Sequence, residues 1–363
     1  MLNKRVTLFI GSLTGGGAER VTCNLANYLA NKNFIVEVIT MSDVDDKYKL
    51  DDRVKKISLI NASERKNVIY DAILRYVRLG SYMKTQAVDC YVVMLPITIA
   101  MMLLQKRKTN AKIVASERND PASYSPVMQR VQKWLAKRAD GYVFQTEDAE
   151  TWYGDAVNNC KTEIIPNAIN QAFIREPYDG DKRKVIAGTG RLKDQKNFPL
   201  LIRAFAKIAD QFPDYNLVIY GEGEKRQELE NLIKEQNLEG RVSLPGNIQN
   251  IADEMEKNSM FVLSSDYEGM PNALMEAMAL GLPCVSTDCP CGGPRFLIQA
   301  RVNGVLVPVG EVDEMAEAMR KLLNNREYGM RLGKEARKIQ QRLAPEKIYG
   351  EWEQFIARVC EGR

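Results

Sequence analysis

Short apolar runs recur along the whole chain, each followed by a longer stretch in which apolar residues return every three or four positions. The runs with strand character are Val6–Ile10, Ile35–Thr40, Cys90–Met94, Ile113–Ser116, Tyr142–Gln145 and Glu163–Ile165 in the first half. In the second half they are Val185–Gly188, Asn216–Tyr220, Val242–Leu244, Phe261–Leu263, Pro283–Ser286 and Gly304–Val307. The intervening stretches carry the helical period. Strands that alternate with helices in this way predict α/β architecture, with parallel sheets covered by helices on both faces.

The alternation is interrupted once, over Asn170–Lys184, a polar stretch holding Pro177, Gly180 and a cluster of charges. Such a stretch reads as a linker between two sheets. A chain of 363 residues exceeds one ordinary hydrophobic core and suits two domains. The expected division is residues 1–170, residues 171–344 and a tail, 345–363. In the tail Ile348, Trp352, Phe355, Ile356 and Val359 fall on one helical stripe, so that helix packs against something.

Composition narrows the function. Apolar residues make up 45% and charged residues 27%, as in a folded globular protein. The net charge of +4 gives no reason to expect nucleic acid as a partner. It is unevenly spread: residues 1–175 hold 25 Lys/Arg against 18 Asp/Glu, and the remainder 26 against 29, giving +7 and −3. A basic front half favours an anionic acceptor or a membrane surface, and ordinary surface variation accounts for it equally well. Seven cysteines without a secretory leader point to a reducing, cytoplasmic setting. No apolar run approaches the roughly 20 residues needed to span a bilayer; the longest, Ile99–Leu104, fits a buried helix. Any membrane association is therefore expected to be peripheral, at the inner face. The chain has no histidine, which excludes a Ser-His-Asp triad, histidine acid–base catalysis and most zinc enzymes.

Three constellations carry candidate chemistry. Gly15-Gly16-Gly17-Ala18-Glu19-Arg20 follows the first strand and opens a helix, where close backbone approach and the helix start suit an anion; a tight turn is the plain alternative. The dinucleotide spacing Gly-x-Gly-x-x-Gly is absent. Gly190-Arg191-Leu192-Lys193-Asp194-Gln195-Lys196-Asn197 follows the first strand of the second half. A guanidinium fork and an ammonium at a strand's carboxyl end suit a diphosphate, although a solvated basic loop has the same composition. The third, Ser264 to Ala279, places Glu268 in the turn after a strand, Pro271 as a first helical residue, and Glu276 eight residues after Glu268 on the helix. Ionised carboxylates accept hydrogen bonds from sugar and ribose hydroxyls.

The arrangement Glu-Gly-x-Pro-x-x-x-x-Glu-Ala-x-Ala, the Gly-Arg-x-x-x-x-Lys-Asn stretch and the early glycine run resemble glycosyltransferase family 4 in order and spacing, over nearly the full chain. The resemblance implies the GT-B fold: two Rossmann-like domains facing a cleft, with the last helix returning to the first domain. It implies a retaining hexosyl transferase that needs no metal or other cofactor and takes a nucleotide-diphosphate sugar as co-substrate. By resemblance Arg191 and Lys196 hold the diphosphate, Glu268 binds donor-sugar hydroxyls, and Glu276 binds the ribose. Gly269, Met270, Pro271, Asn272 and Ala273 present backbone to sugar and phosphate, Gly16 and Gly17 approach the distal phosphate, and Gly221 and Ile248 line the nucleotide pocket. Many relatives have a histidine in the turn that here reads Ser116-Glu117-Arg118-Asn119-Asp120-Pro121. Arg118 takes that place and is a candidate partner for a phosphate or an anionic acceptor. The Gly-Gly-Ala-Glu-Arg and Ser-Glu-Arg stretches resemble bacterial transferases of lipid-linked oligosaccharides, some of which use UDP-N-acetylgalactosamine. The expected acceptor is thus a glycan or lipid-linked glycan, in cell-surface polysaccharide or glycoconjugate synthesis.

Two other readings make different demands. A sugar-nucleotide epimerase of the same fold typically uses a histidine, which this chain lacks. A non-catalytic nucleotide-sugar-binding protein would bind donor without transfer or slow hydrolysis. Asp43-Val44-Asp45 has the spacing of metal-dependent transferases of another fold but reads as a solvated loop after a strand. Cys284, Cys289 and Cys291 lack the fourth ligand of a structural zinc site. Lys106, Arg107, Lys108 and Lys112 suit lipid head groups or simply a solvated face.

Overall fold

A computed structural model describes residues 4–361, and these divide into two compact units. One comprises the chain up to Ala168 together with the stretch from Glu346; the other is Ile169–Pro345.

In the first unit the strands are β1 (Arg5–Ile10), β2 (Ile35–Thr40), β3 (Lys55–Ser58), β4 (Cys90–Met94), β5 (Lys112–Ser116), β6 (Gly141–Phe144) and β7 (Lys161–Ile164). They form one parallel sheet in the order β3-β2-β1-β4-β5-β6-β7. The connecting helices are α1 (Gly17–Asn31), α2 (Val68–Thr85), α3 (Pro96–Leu103), α4 (Pro126–Ala136) and α5 (Glu147–Tyr153). The central strands are buried along their length because helices cover both faces, so β4 reads Cys-Tyr-Val-Val-Met without alternation. The sequence pattern did not announce β3. It is Lys-Lys-Ile-Ser at the sheet's edge, half-exposed, and charged residues are what an edge strand tolerates.

The second unit contains β8 (Arg183–Thr189), β9 (Asn216–Tyr220), β10 (Val242–Gly246), β11 (Asn258–Leu263), β12 (Cys284–Thr287) and β13 (Val305–Val307). They form a parallel sheet in the order β10-β9-β8-β11-β12-β13. Its helices are α6 (Phe198–Ala206), α7 (Arg226–Glu235), α8 (Ile251–Met255), α9 (Asn272–Ala279), α10 (Gly293–Leu297), α11 (Val312–Asn324), α12 (Arg326–Ala336) and α13 (Ile339–Arg342). Leu201, Phe205, Leu217, Ile219, Met315 and Met319 are among the fully buried side chains that join its helices to its sheet.

In both sheets the order reverses beside the first strand, between β1 and β4 and between β8 and β11. In open α/β sheets, ligands bind outside the carboxyl ends of the strands at such a switch point. The final helix, α14 (Pro345–Cys360), buries Trp352, Phe355 and Ile356 completely in the first unit. Burying each such side chain is worth about 1.5–3 kcal/mol, enough to hold a terminal helix in place. Among the described residues no helix is long and apolar enough to cross a membrane.

Candidate functional site

The carboxyl ends of β8, β9 and β10 in the second unit are laced together by backbone hydrogen bonds. Gly190 N donates to Tyr220 O (3.0 Å), Leu192 N to Glu222 O (2.9 Å) and Gly221 N to Gly246 O (2.9 Å). The weave is tight: a β-carbon on Gly221 would stand 2.0 Å from the Gly190 carbonyl oxygen, and Gly221 has φ +138°, which disfavours any other residue. Gly190, Gly221 and Ile248 therefore lie at one edge of one sheet, with Ile248 half-buried just past β10.

The loop after β8 is tied to the loop after β11. Asp266 N donates to Gln195 O (2.9 Å), Gln195 Nε2 to Tyr267 O (3.0 Å), Ser264 Oγ to Lys196 O (2.8 Å) and Asn197 Nδ2 to Asp266 Oδ1 (2.7 Å). Asn197 takes a left-handed conformation (φ 41°), as Asn does more readily than most residues, and its side chain caps α6 through Leu200 N. These bonds place Lys196 Nζ 2.5 Å from Glu268 Oε1. The same oxygen accepts from Ser265 Oγ at 2.8 Å. Glu268 is buried, and both partners of the pair are largely withdrawn from water. Arg191 is different. It is exposed, and its guanidinium has no hydrogen-bond or ion-pair partner among the described residues.

Glu268 is held from behind as well. Its amide donates to Pro290 O (2.6 Å), and Cys291 N donates to Glu268 O (2.9 Å). The carbonyl of Gly269 lies 2.0 Å from where a β-carbon on Gly293 would be, so the loop before α10 closes directly on the glutamate loop. Its Cys289 thiol is pushed up to about 12, mainly by burial and then by the Glu268 charge.

Helix α9 starts at Asn272 with Pro271 as its cap, one residue later than the sequence pattern suggests. Proline has no N–H, so between Met270 and Ala273 the amides are those of Met270, Asn272 and Ala273. Ala273 is in the first turn, where a helix supplies no acceptor for its own amides. Glu276 follows one turn on and is buried. The second unit thus gathers Arg191, Lys196, Gly221, Ile248, Glu268 and the start of α9 at the carboxyl edge of a single sheet.

In the first unit, Gly16 caps α1. Glu19 turns back to it: Oε2 accepts from Gly15 N (2.7 Å) and Gly16 N (2.9 Å), while Oε1 accepts from Ser12 Oγ (2.6 Å). The Gly16 amide is therefore already engaged, and Gly17 stands exposed as the first helical residue. Arg118 follows β5. Its Nη1 donates to Asn167 Oδ1 (3.0 Å), its guanidinium lies over the Trp352 ring (5.2 Å), and Nε and Nη2 are shut from solvent with no partner. Burial lowers its pKa to about 10. Beside it, buried Glu117 accepts from the amides of Arg118 (2.9 Å) and Asn119 (3.1 Å) and from Tyr153 Oη (2.9 Å).

Sequence reasoning missed the residues that fasten the site: Gln195, Ser264, Ser265 and Asp266. The signal available was a pair of serines that end a buried strand and remain polar. The decoys are accounted for locally. Lys56 on β3 neutralises the acidic loop, at 2.7 Å from Asp46 and 3.9 Å from Asp43. The Cys284 thiol donates to Leu282 O (3.2 Å). A cavity of about 760 Å³ in the second unit is lined by Ser259, Met260, Leu280 and Pro283, at the amino ends of β11 and β12 and away from this site.

Comparison with known proteins bears on the same halves of the chain. Residues 15–173 match the profile of Glycosyltransferase Family 4, and residues 170–339 that of Glycosyl transferases group 1. From Campylobacter jejuni, N-acetylgalactosamine-N,N'-diacetylbacillosaminyl-diphospho-undecaprenol 4-alpha-N-acetylgalactosaminyltransferase is 31% identical over 89% of this chain and 91% of its own. A second transferase of that bacterium, GalNAc-alpha-(1->4)-GalNAc-alpha-(1->3)-diNAcBac-PP-undecaprenol alpha-1,4-N-acetyl-D-galactosaminyltransferase, is 25% identical over 98% of this chain and 99% of its own. Among solved structures, Anabaena HepE in complex with UDP-glucose superposes with a TM-score of 0.84 at 19% identity, covering 98% of this chain and 99% of that one. The folds of the two units are those of GT-B glycosyltransferases.

Proposed function

The chain belongs to the glycosyltransferases, its first half to family 4 and its second to group 1, and from that premise we propose that it moves a sugar from a UDP-sugar to a lipid-linked glycan, with retention at the anomeric carbon and without a metal ion. The observation that carries the proposal is the buried Lys196–Glu268 pair beside the unpartnered Arg191, at the carboxyl edge of β8 and β11.

In this reading Arg191 and Lys196 hold the diphosphate, with the Met270 and Ala273 amides at the head of α9 as further donors. Glu268 accepts from donor-sugar hydroxyls, and Glu276 from the ribose. Gly221, Gly269 and Ile248 shape the nucleotide pocket, Gly221 by letting the Gly190 loop close against it. As the bond from the sugar to the diphosphate breaks, negative charge grows on the leaving oxygen, and the same cations stabilise it more than they stabilise the intact donor. The acceptor hydroxyl adds from the face the diphosphate leaves, and a diphosphate oxygen takes its proton. Because no carboxylate stands out as a nucleophile, front-face attack is preferred to a glycosyl-enzyme intermediate.

The first unit would recognise the acceptor, with Gly16 and Gly17 near the distal phosphate and Arg118 as an anion partner. Two relatives named for N-acetylgalactosaminyl transfer to undecaprenol-linked glycans favour an N-acetylhexosamine donor and such an acceptor, and with such an acceptor the work would be done at the inner face of the cell membrane. The test is slow donor hydrolysis across a panel of UDP- and GDP-sugars, followed by NMR of the product. Release of UDP from one UDP-sugar with chelator present, and an α-linked product from an α-linked donor, are the expected results. Inversion of the linkage overturns the retaining assignment, and interconversion of nucleotide sugars without UDP release favours an epimerase.

A further inference from the structure

Over its first turns, residues 68–77, helix α2 is turned inside out relative to an ordinary surface helix. Three of its charged residues face its own unit: Asp71 is buried and accepts from Lys66 N (3.1 Å), Arg75 donates to Met41 O (3.0 Å) and Ser42 Oγ (2.8 Å), and Arg78 donates to Leu59 O and Glu64 Oε2 (both 2.8 Å). Leu79 and Met83 near its end are buried, but over residues 68–77 the apolar face turns outward. Val68, Ile69, Ile73 and Val77 are 85%, 73%, 60% and 56% exposed, and they follow the helical repeat that makes one continuous ridge. Surface helices normally bury that stripe, so exposing it demands a reason.

The ridge is part of a wider face. The connections β3 to β4, β4 to β5 and β5 to β6 all run in one direction across the sheet, so right-handed crossovers put α2, α3 and α4 on the same side. Gln105 Nε2, just beyond α3, donates to Tyr76 O on α2 (3.0 Å), and α3 packs on α4. Helix α4 repeats the pattern, with Val127, Val131 and Trp134 exposed on one stripe. Around these side chains the charge has a single sign. From Pro96 to Lys112 and from Pro121 to Arg138 there is no Asp or Glu, while Arg107, Arg130 and Lys137 are exposed. Arg138 stacks on Trp134 at 3.5 Å and Lys66 lies over Tyr70 at 4.8 Å, so cations sit at the level of the rings.

We propose that this face docks on an anionic lipid bilayer, with the α2 ridge entering the boundary between head groups and acyl chains and the surrounding cations meeting lipid phosphates. An apolar stripe framed by Lys, Arg and aromatic rings is the composition of an interfacial helix; a protein–protein interface is more often depleted in lysine. The assignment rests on the proposed function and deepens it, by naming the surface that brings the enzyme to a lipid-linked acceptor.

The experiment uses the full chain in flotation with phosphatidylcholine vesicles, with or without phosphatidylglycerol. Binding to the anionic vesicles is expected, weakening as salt is raised. I69E/I73E/V77E should bind at least about tenfold more weakly, and R107Q/R130Q/K137Q, which leaves the ridge intact, should lose most of the salt dependence. Both variants should keep the wild-type circular dichroism and rate of donor hydrolysis, which separates this proposal from the assignment of the donor site. No flotation of the wild type overturns the proposal, and so does binding indifferent to both sets of substitutions. A dimer in sedimentation velocity that I69E/I73E/V77E dissociates, with vesicle binding unchanged, also overturns it and assigns the face to a second copy of the chain.

Discussion

Lys196 and Glu268, 72 residues apart in sequence, meet at 2.5 Å with Ser265 as a third partner on the same carboxylate oxygen. The pair holds two opposite charges largely out of water without a ligand, so each keeps the other ready for a substrate that needs both: the lysine for phosphate, the glutamate for hydroxyls. Removing one partner strands the other in a poor solvent. Lys196→Ala is expected to lower turnover about 100–1,000-fold. Lys196→Ala/Glu268→Gln should fall well short of the product of the single effects, because the two act as a unit. Steady-state kinetics of donor hydrolysis check this; strictly multiplicative losses count against the shared role.

Arg191 gives the opposite balance. Exposed and unpartnered, it contributes little to folding, and surface changes of that kind stay within about 0.5 kcal/mol. Arg191→Ala is therefore expected to melt with the wild type while turnover drops about 100-fold. Arg191→Lys should restore only part, since an ammonium cannot make the two parallel bonds of a guanidinium to a phosphate. A thermal melt beside a kinetic assay reads both. Unchanged turnover in Arg191→Ala would remove it from the site.

The backbone weave under the site predicts a stability defect. Gly221→Ala meets both a positive φ of 138° and the Gly190 carbonyl oxygen at 2.0 Å. The strained backbone alone costs about 1–3 kcal/mol, so urea unfolding should show at least that loss. Gly293→Ala presses instead on the Gly269 carbonyl and hence on the loop carrying Glu268. It should weaken UDP binding in calorimetry by more than its loss of stability suggests. Equal melting temperatures for Gly221→Ala and wild type would mean that the two loops have room to part.

How far the sequence could be read follows from what each feature depends on. The buried strands were legible because continuous apolar runs leave few alternatives, whereas β3 was not, since Lys-Lys-Ile-Ser has no run to see and pairs only because β2 offers an edge. Glu268 and Lys196 could be named from local spacing, but their contact could not, because it depends on β8 and β11 being neighbours. Ser265 and Gln195 act through that same neighbourhood. The outward side of α2, with Val68, Ile69, Ile73 and Val77, was not read from the sequence. Which side turns outward is decided by where Arg75 and Arg78 find acceptors, in loops far away in sequence.

The buried Glu117 gives a pH signature. Burial raises its pKa above the ordinary 4.5, while the two backbone amides, Tyr153 and the Arg118 charge oppose the rise without cancelling it. In the unfolded chain the carboxyl ionises near its ordinary value; in the folded protein it holds its proton to higher pH. Between those two values the folded state binds more protons, so stability falls as pH rises through that window and stays lower above it. Glu117→Gln abolishes this dependence and keeps an acceptor for the Arg118 and Asn119 amides, although its NH₂ must now donate to Tyr153. The melting temperature of Glu117→Gln relative to wild type should therefore improve from about pH 5 to about pH 8. Differential scanning calorimetry at the two pH values checks it. A difference that stays flat, or that shifts in favour of the wild type as pH rises, would show that Glu117 is ionised in the folded state throughout, with the Arg118 charge outweighing burial.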